Sequence, residues 1–325
     1  MSLTFTELES VTNDYFMADG KKAVDIYFND SFILDLFMNK KKGLWERPPG
    51  GKRIRVPLSY DGQEAGFYSR AEALSSDDRE SVNAAYFLIK HAYGNATIYR
   101  TDELENTGEY AQVQLVAQRL EGAQKSARKL IADNIYSANA DTSKNITGLR
   151  SMTSETSSSA YGNIAEDDLA AADGTKPWEG KTNSDSVAIS LDVIRTLRSD
   201  AKIGNGKAGK PDVGMTTETL FNKISAILQV QQRFVTDSET VKAGFTHVVF
   251  EGMIVAADDY APSGYFFGVN SNHAGFGIHS RGYFARTPWA NLQSANIMGR
   301  SLKILWDGNW ICNNRKAHKA HSNLS

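Results

Sequence analysis

Residues 109–139 read EYAQVQLVAQRLEGAQKSARKLIADNIYSAN. Apolar side chains recur in this segment every three or four positions, which predicts a helix with one buried face. They are Val113, Val116, Leu120, Ala123, Ala127, Leu130, Ile131 and Ile135. At ~1.5 Å per residue the helix would be about 45 Å long, whereas an average helix has only about 11–12 residues. The pattern fits either a long helix in an ordinary domain or a rod that spans a flat subunit.

The composition is that of a globular protein. The chain has 325 residues, with 36 basic and 38 acidic side chains and a net charge of −2. This balance argues against a protein that grips duplex DNA or a membrane surface. Cys312 is the single cysteine, which excludes a disulfide within the chain and predicts a reducing compartment. No secretory signal is evident and no apolar run approaches ~18 residues, so we expect a protein that is made and used in a cytoplasm, or in something assembled there.

The first fifty residues divide into two parts. Residues 1–25 are polar with scattered apolar side chains, which predicts an arm that packs on another surface. Residues 25–42 show a helical stripe that ends in Lys40, Lys41, Lys42 and Gly43. Lysines followed by glycine are typical of a helix C-terminus. A phosphate-binding patch is the alternative interpretation of the three lysines.

An extended hairpin is predicted after the breaker Pro48-Pro49-Gly50-Gly51. Arg53, Arg55 and Pro57 alternate with Ile54, Val56 and Leu58, which is the pattern of a strand with one exposed face. Residues 63–82 are polar apart from Phe67, Tyr68 and Leu74. Strand residues resume over 84–100, with a turn expected near Gly94-Asn95. A polar excursion of this length in a compact domain is usually functional or disordered.

The second half of the chain mixes helices and strands. Residues 151–184 are predicted to form a surface loop, and residues 204–211 a glycine loop that resembles a phosphate loop only loosely. Helices are predicted over 186–199 and from Thr217 onward. Strands are predicted at 212–215, 247–250, 253–256, 265–269 and 275–278, and a hairpin at 302–306 and 310–313. The hairpin prediction depends on Asp307-Gly308-Asn309, which is a strong turn signal.

Few residues suggest catalysis. His247, His273 and His279, with Asp258 and Asp259, could form a metal or acid–base cluster, but their spacing matches no ligand motif. The sequence contains no nucleophile elbow and no zinc-protease motif, and no Gly-x-Gly-x-x-Gly follows a predicted strand. We therefore expect no enzymatic activity, no cofactor and no metal. Cys312 is predicted to be a small buried hydrophobe.

A short basic segment lies close to the end of the sequence. It contains Arg315, Lys316, His318 and Lys319. These residues could contact nucleic acid, although four residues in a nearly neutral chain would bind it weakly.

Four strings carry a resemblance to a known family. They are GGKRIRVPL at 50–58, ITGL at 146–149, ADDYAP at 257–262 and DGNWICNNRKAH at 307–318. Together with the order of parts they resemble the major capsid protein of tailed bacteriophages, which has the α+β Hong Kong 97-type fold. The resemblance implies an N-terminal arm at 1–49, an extended loop (E-loop) at 50–84 and a peripheral domain at 85–145 with a spine helix at 109–139. An axial domain at 146–280 and a return to peripheral strands at 281–325 would follow.

The function implied by this resemblance is structural. Pentamers and hexamers would close into an icosahedral shell around packaged double-stranded DNA, and the chain would assemble in the bacterial host cytoplasm and end in the virion. Each E-loop would lie across a neighbouring subunit, with Arg53, Arg55, Phe67, Tyr68 and Arg70 as inter-subunit contacts. The implied partners are a separate scaffolding protein, a portal and decoration or head-completion proteins, with weak non-specific DNA contact and no membrane.

Two other interpretations stay open at this point. The shell of a cellular nanocompartment has the same fold and would enclose an enzyme rather than DNA. A metal-dependent enzyme built on His247, His273, His279 and the Asp258-Asp259 pair is the second alternative.

Overall fold

The computed structural model describes residues 31–38, 42–70, 73–74, 80–105, 109–154, 160–171, 174–203, 209–229 and 247–325. The predicted N-terminal arm, the Lys40-Lys41 pair and most of the glycine loop at 204–211 lie outside the described residues. In the part of the chain that is described, no helix is both long enough and apolar enough to cross a membrane.

Strands and helices alternate along the chain. The strands are β1 (Leu44–Glu46), β2 (Arg53–Ser59), β3 (Val82–Leu88), β4 (Lys90–Tyr99), β5 (Thr182–Asn183), β6 (Val213–Thr216), β7 (His247–Phe250), β8 (Met253–Ala257), β9 (Phe266–Val269), β10 (Ala274–Ile278), β11 (Ala285–Arg286), β12 (Ala290–Asn291), β13 (Gly299–Cys312) and β14 (Lys319–His321). The α-helices are α1 (Arg100–Glu105), α2 (Glu109–Ile135), α3 (Leu149–Thr153), α4 (Leu191–Asp200) and α5 (Glu218–Gln229).

The chain divides into two compact units. The described parts of the first unit are Ala92–Leu130, with a gap at 106–108, and Tyr283–Trp306. The second unit contains the described parts of Asp30–His91 and Ile131–Gly282, and Asp307–Ser325. The five-part division implied by the capsid resemblance stays a prediction.

The first unit contains a small sheet next to part of the long helix. Strands β11 and β12 pair antiparallel with the first half of β13, and β4 pairs with β13 as well. The apolar core of this unit consists of Ala96, Ala123, Leu302 and Ile304, with Leu120, Phe284 and Trp289 packed against it.

The turn expected near Gly94-Asn95 is wrong, because both residues lie inside β4. A Cβ atom at Gly94 would lie 2.0 Å from the carbonyl oxygen of Ala123 in α2. Glycine is therefore needed for the close approach of strand and helix backbones, not for a turn.

The predicted long helix is confirmed as α2, which ends at Ile135, before the expected end at Asn139. Its most deeply buried row runs through Ala123, Ala127, Ile131 and Ile135, spaced four residues apart. Leu130 was assigned to the buried stripe and is instead 47% exposed. Residues at i+3 and i+4 diverge around a helix, and the i+4 row is the one that faces the core here.

A six-stranded sheet organises the second unit, with the strand order β5-β14-β9-β6-β8-β7. Helices α4 and α5 contribute to its core through Ile194, Leu197, Leu220, Phe221 and Ile224. The strands predicted at 247–250, 253–256, 265–269 and 275–278 and the helix after Thr217 are confirmed. The helix expected over 186–199 begins later, because Ser190 caps it by accepting a hydrogen bond from the Val193 amide at 3.3 Å.

The hairpin predicted at Asp307-Gly308-Asn309 is wrong. β13 runs through these residues as one strand of 14 residues, and Gly308 and Asn309 pair with Ile278 and Gly277 of β10. None of the three has the positive φ that the favoured type I′ hairpin turn requires. Strand β1 pairs parallel with the other edge of β10.

The surface loop predicted over 151–184 is also wrong in part. Tyr161, Leu169 and Trp178 in this segment are buried. Arg315, which was assigned to a basic segment available to nucleic acid, is buried with them. Its guanidinium donates to the carbonyl oxygens of Met152 and Trp178, each at 2.8 Å. His318 is likewise fully buried, whereas Lys316 and Lys319 are partly exposed. Two of the four residues of the basic segment are therefore core residues and not part of a nucleic-acid surface.

Candidate assembly surface

The β2–β3 hairpin has one buried and one exposed face. The strands pair antiparallel from Arg53↔Leu88 to Ser59↔Val82. Ile54, Val56 and Leu58 are buried and the residues between them are exposed, which confirms the predicted alternation. β3 begins at Val82, so the polar excursion ends one residue earlier than the sequence suggested.

Apolar contacts fix the buried face of the hairpin to the rest of the second unit. Phe87 is fully buried and packs edge-to-face against Tyr161, with ring centroids 5.2 Å apart. The Tyr86 amide donates to the carbonyl oxygen of Gly162 at 2.8 Å. Gly277 of β10 leaves room for Ile54, whose Cδ1 would lie 2.5 Å from an added Cβ. The hairpin is therefore held along its paired strands.

A buried polar cluster joins the base of the hairpin to the core. The Asn309 side chain donates to the carbonyl oxygen of Leu88 at 3.0 Å and accepts from the Thr147 amide at 2.9 Å. The Thr147 hydroxyl donates to Asp141 at 3.2 Å. Lys90 donates to the carbonyl oxygens of Asp141 and Ser143. Buried groups of this kind are stable only when hydrogen-bonded, and these bonds connect the end of β3 to the segment after α2 and to β13.

The charges in this cluster are perturbed by burial. Desolvation raises the pKa of Asp141, although Lys90, Thr147, the Leu88 amide and Arg53 act to lower it. Desolvation also lowers the pKa of Lys90, against the attraction of Asp141. Each group is thus held near the opposite charge that makes its burial tolerable.

The loop that follows β2 is exposed in its described part. All residues over 62–70 are exposed, and Phe67 is completely so. Tyr68 is 71% exposed and Leu74 67%. Large apolar side chains clustered on one exposed loop are a typical feature of interaction sites.

The predicted contact residues fall into two groups. Arg53 and Arg55 lie on the exposed face of β2, and Phe67, Tyr68 and Arg70 lie in the loop. The ladder between Arg53 and Ser59 is about 20 Å long at ~3.4 Å per residue. Their contact with another subunit stays a prediction. Asp141, Thr147 and Asn309 were missed, although Thr147 and Asn309 lie in two of the four strings that carry the resemblance.

Two residues of the metal or acid–base hypothesis, His273 and Asp258, have structural partners. His273 Nδ1 lies 2.8 Å from the side-chain oxygen of Asn313. Asp258 is buried and accepts hydrogen bonds from the Ser31 hydroxyl at 2.9 Å and the Ile33 amide at 3.1 Å. Within the described ranges, no group of three His, Cys, Asp or Glu side chains could hold a metal ion. The structure therefore gives the metal-enzyme alternative no support.

Comparison with known proteins gives structural matches alone. No protein-family model matches the sequence, and no curated protein matches it at a significant level. A subunit of the cyanophage A-1(L) capsid matches with a TM-score of 0.63 at 13% identity, over 94% of this chain and 97% of that one. A capsid subunit of a native GTA particle gives 0.60 at 12% identity, over 95% and 96%. The SrpI encapsulin from Synechococcus elongatus PCC 7942 gives 0.60 at 10% identity, over 100% and 97%.

These matches define the class of fold. The chain has the α+β Hong Kong 97-type capsid fold over nearly its whole length, in accord with the sequence resemblance. Identities of 10–13% show the fold alone, and the similar structures include both phage capsids and an encapsulin. All three of these proteins are subunits of assembled particles.

Proposed function

We propose that this chain is the major capsid protein of a tailed bacteriophage. It self-assembles into pentamers and hexamers, and these close into an icosahedral shell around packaged double-stranded DNA. The observation that carries the proposal is the full-length match, over 94% and 97% of the two chains, to a cyanophage capsid subunit. The four strings that resemble the family, at 50–58, 146–149, 257–262 and 307–318, support the phage assignment.

The exposed loop supports assembly. Phe67 is completely exposed and Tyr68 is 71% exposed in the described part of the chain, so a neighbouring copy is the natural surface to bury them. The net charge of −2 suits a container that encloses DNA and holds it weakly. The expected location is the virion, after assembly in the host cytoplasm. A separate scaffolding protein, a portal and decoration or head-completion proteins are the expected partners.

The shell of a cellular nanocompartment is the second candidate function. The match to the SrpI encapsulin, which covers 100% of this chain at a TM-score of 0.60, favours it. In that case the shell would enclose a protein cargo in place of DNA.

Electron microscopy of the expressed protein tests both functions. The chain is produced alone and together with the products of its flanking genes, and the particles are treated with nuclease before the contents are extracted. Closed icosahedral shells that protect double-stranded DNA support the capsid. Closed shells that hold one protein and no DNA support the nanocompartment. A protein that stays monomeric in every condition contradicts both.

A further inference from the structure

Strand β4 pairs with β13 along one edge, and no described strand pairs with its other edge. The amide of Arg100, directly after β4, donates to the carbonyl oxygen of Met298 at 3.0 Å. The carbonyl oxygen of Ile98 also points toward β13, because a Cβ atom at Gly299 would lie 2.8 Å from it. The amide and carbonyl of one strand residue point to the same edge, and that edge alternates along the strand. The even-numbered residues of β4 therefore bond β13.

The odd-numbered residues of β4 direct their backbone groups to the other edge, which we call the open edge. Within the first unit they are Tyr93, Asn95, Thr97 and Tyr99, and none of them is buried. The residues between them are buried. The open edge is about 20 Å long at ~3.4 Å per residue. A row of unpaired backbone groups of this length is a template for a further strand.

Other edge strands in the described part of the chain are short or protected. Strands β1, β5, β7, β11 and β12 have two to four residues each. Strand β2 carries two arginines and Pro57, and the edge of β3 is partly covered by the Gly162 carbonyl. Charged residues and proline are the usual means of blocking strand pairing. The open edge has neither between Tyr93 and Tyr99, so it is suited to pairing.

We propose that the open edge of β4 pairs antiparallel with the open edge of a second copy. Tyr93 lies opposite Tyr99 of the partner subunit, and Asn95 lies opposite Thr97 of the partner subunit. Each pair occurs twice about a two-fold axis and exchanges two backbone hydrogen bonds, about eight in all. The proposal rests on the assembly of copies into a shell, and it names one contact between them.

Side-chain chemistry favours this partner and this register. Tyr93 is 63% exposed and Tyr99 is 47% exposed, and opposed aromatic side chains stabilise a sheet. The Asn95 amide donates to the Thr97 hydroxyl of its own strand at 2.8 Å, so both polar groups already lie on one face. The register opposes no charged side chains. A second copy also supplies an edge that is already a strand, whereas a flexible segment would lose conformational entropy on pairing.

Cysteine cross-linking tests the pairing and its register. The single native cysteine, Cys312, is fully buried, so the introduced thiols are the accessible ones. A chain with Asn95→Cys is co-assembled with a chain with Thr97→Cys and oxidised mildly. The two different chains should form a disulfide-linked dimer, because opposed residues lie within the Cα range of disulfides, about 4.4–6.8 Å. Each variant alone should cross-link at least about tenfold more slowly, because identical positions are diagonal neighbours ~7–8 Å apart.

A pair of charge variants at the same positions provides a matched control. The variant with Asn95→Lys and Thr97→Lys opposes like charges in the proposed register, so its assembly rate in light scattering should fall at least about tenfold at 0.1 M salt. The variant with Asn95→Lys and Thr97→Glu opposes unlike charges and should assemble close to the parental rate. Both variants should keep near-parental melting, since the positions are not buried. Equal loss of assembly in the two variants would overturn the register.

The results separate this contact from the proposed shell function. Closed shells without the disulfide between Asn95→Cys and Thr97→Cys chains overturn the pairing and leave the capsid function standing. Disulfide-linked dimers of a chain that never closes into shells support the pairing and contradict the capsid function. If no shells form, the purified mixture is oxidised at the concentration used for assembly, and absence of the dimer contradicts the pairing.

Discussion

Asn309, in the middle of β13, donates a hydrogen bond from its side-chain amide to the carbonyl oxygen of Leu88 at 3.0 Å. Leu88 is the last residue of β3, where the hairpin returns to the core. The same amide group also donates to the Thr147 hydroxyl at 3.1 Å, and its oxygen accepts from the Thr147 amide. One buried side chain therefore joins the hairpin, the segment after α2 and β13.

Replacing Asn309 should be costly. Asn309→Ala leaves the Leu88 carbonyl and the Thr147 amide without these partners, and unsatisfied buried groups cost about 1–3 kcal/mol each. We expect a loss of at least about 2 kcal/mol in urea denaturation. Asn95→Ala, at an exposed strand position, should stay within ~0.5 kcal/mol. Equal losses in the two variants would show that the cluster does not stabilise the fold.

Truncation to alanine should have different effects on stability at two neighbouring positions of α2. Ile131 is fully buried and Leu130 is 47% exposed. Ile131→Ala should cost about 2–5 kcal/mol, because it removes buried methyl groups and leaves a cavity. Leu130→Ala should cost less than about 1 kcal/mol. Thermal unfolding of both variants measures the difference, and a larger loss at Leu130 would contradict the helical phase of the structure.

Arg315 is expected to be irreplaceable by lysine. Its guanidinium is fully buried and donates to the carbonyl oxygens of Met152, Trp178 and Ser154, each at 2.8 Å. A lysine ammonium is a single point that cannot reach this set of acceptors with the same geometry. Arg315→Lys should lower the unfolding free energy by at least about 2 kcal/mol. Lys316→Ala, at the next position, should stay within ~0.5 kcal/mol; a stable Arg315→Lys protein would refute the structural role.

His318 should make the protein sensitive to acid. Burial, with the nearby charges of His273 and Arg315, lowers the pKa of His318 to about 3. In the unfolded chain the His318 imidazole binds a proton near pH 6.5, whereas in the folded chain it stays neutral down to about pH 3. The contribution of His318 to the free energy of unfolding is therefore fully present above pH 6.5. It is lost as the pH drops toward 3, by about 1.4 kcal/mol per pH unit.

The slope of the melting temperature against pH measures this effect. His318→Asn removes the titrating group, so its melting temperature should fall less steeply between pH 6.5 and 4.5, even if the variant is less stable at pH 7. Parallel slopes in the two proteins would show that acid sensitivity arises elsewhere.

Local sequence patterns predicted an element well where the spacing of its buried residues is set by the periodicity of that element. Alternation over 53–59 predicted β2, and the three- and four-residue spacing over 109–135 predicted α2. Both signals depend on which side of one element faces the core. They need no knowledge of the partner.

The errors have a common cause, which is a distant partner. Gly94 resembles a turn residue, but glycine is needed there because a Cβ atom would collide with the carbonyl oxygen of Ala123. Asn309 resembles a hairpin residue, but it bonds Leu88, which lies 221 positions away. Arg315 resembles a surface cation, but its acceptors belong to a segment more than a hundred residues earlier. A single sequence does not record such pairs, and a contact between two copies is hidden for the same reason.

The final prediction concerns the exposed loop after β2. Tyr60 donates its amide to the carbonyl oxygen of Ser81 at 3.0 Å, and Ser59 pairs with Val82, so the ladder closes before the loop begins. Replacing residues 62–80 by a short glycine-containing turn therefore keeps every described hydrogen bond between the paired strands. The described loop residues over 62–70 are exposed and contribute little apolar burial to the subunit. The variant should keep the circular dichroism and near-parental melting of the full chain.

The deletion of residues 62–80 should impair assembly rather than folding. A long ordered loop costs about 1–2 kcal/mol per residue in conformational entropy, which burial against a neighbour can offset. Without the loop, closed shells should not form under conditions where the parent forms them, as judged by electron microscopy and sedimentation. Phe67→Ala with Tyr68→Ala should weaken assembly in the same direction and less severely, because it removes the aromatic contacts and keeps the charges. Normal shells from the deletion variant would mean that other surfaces drive assembly. A variant that cannot fold would mean that the loop belongs to the subunit's own core, which its exposure in the structure argues against.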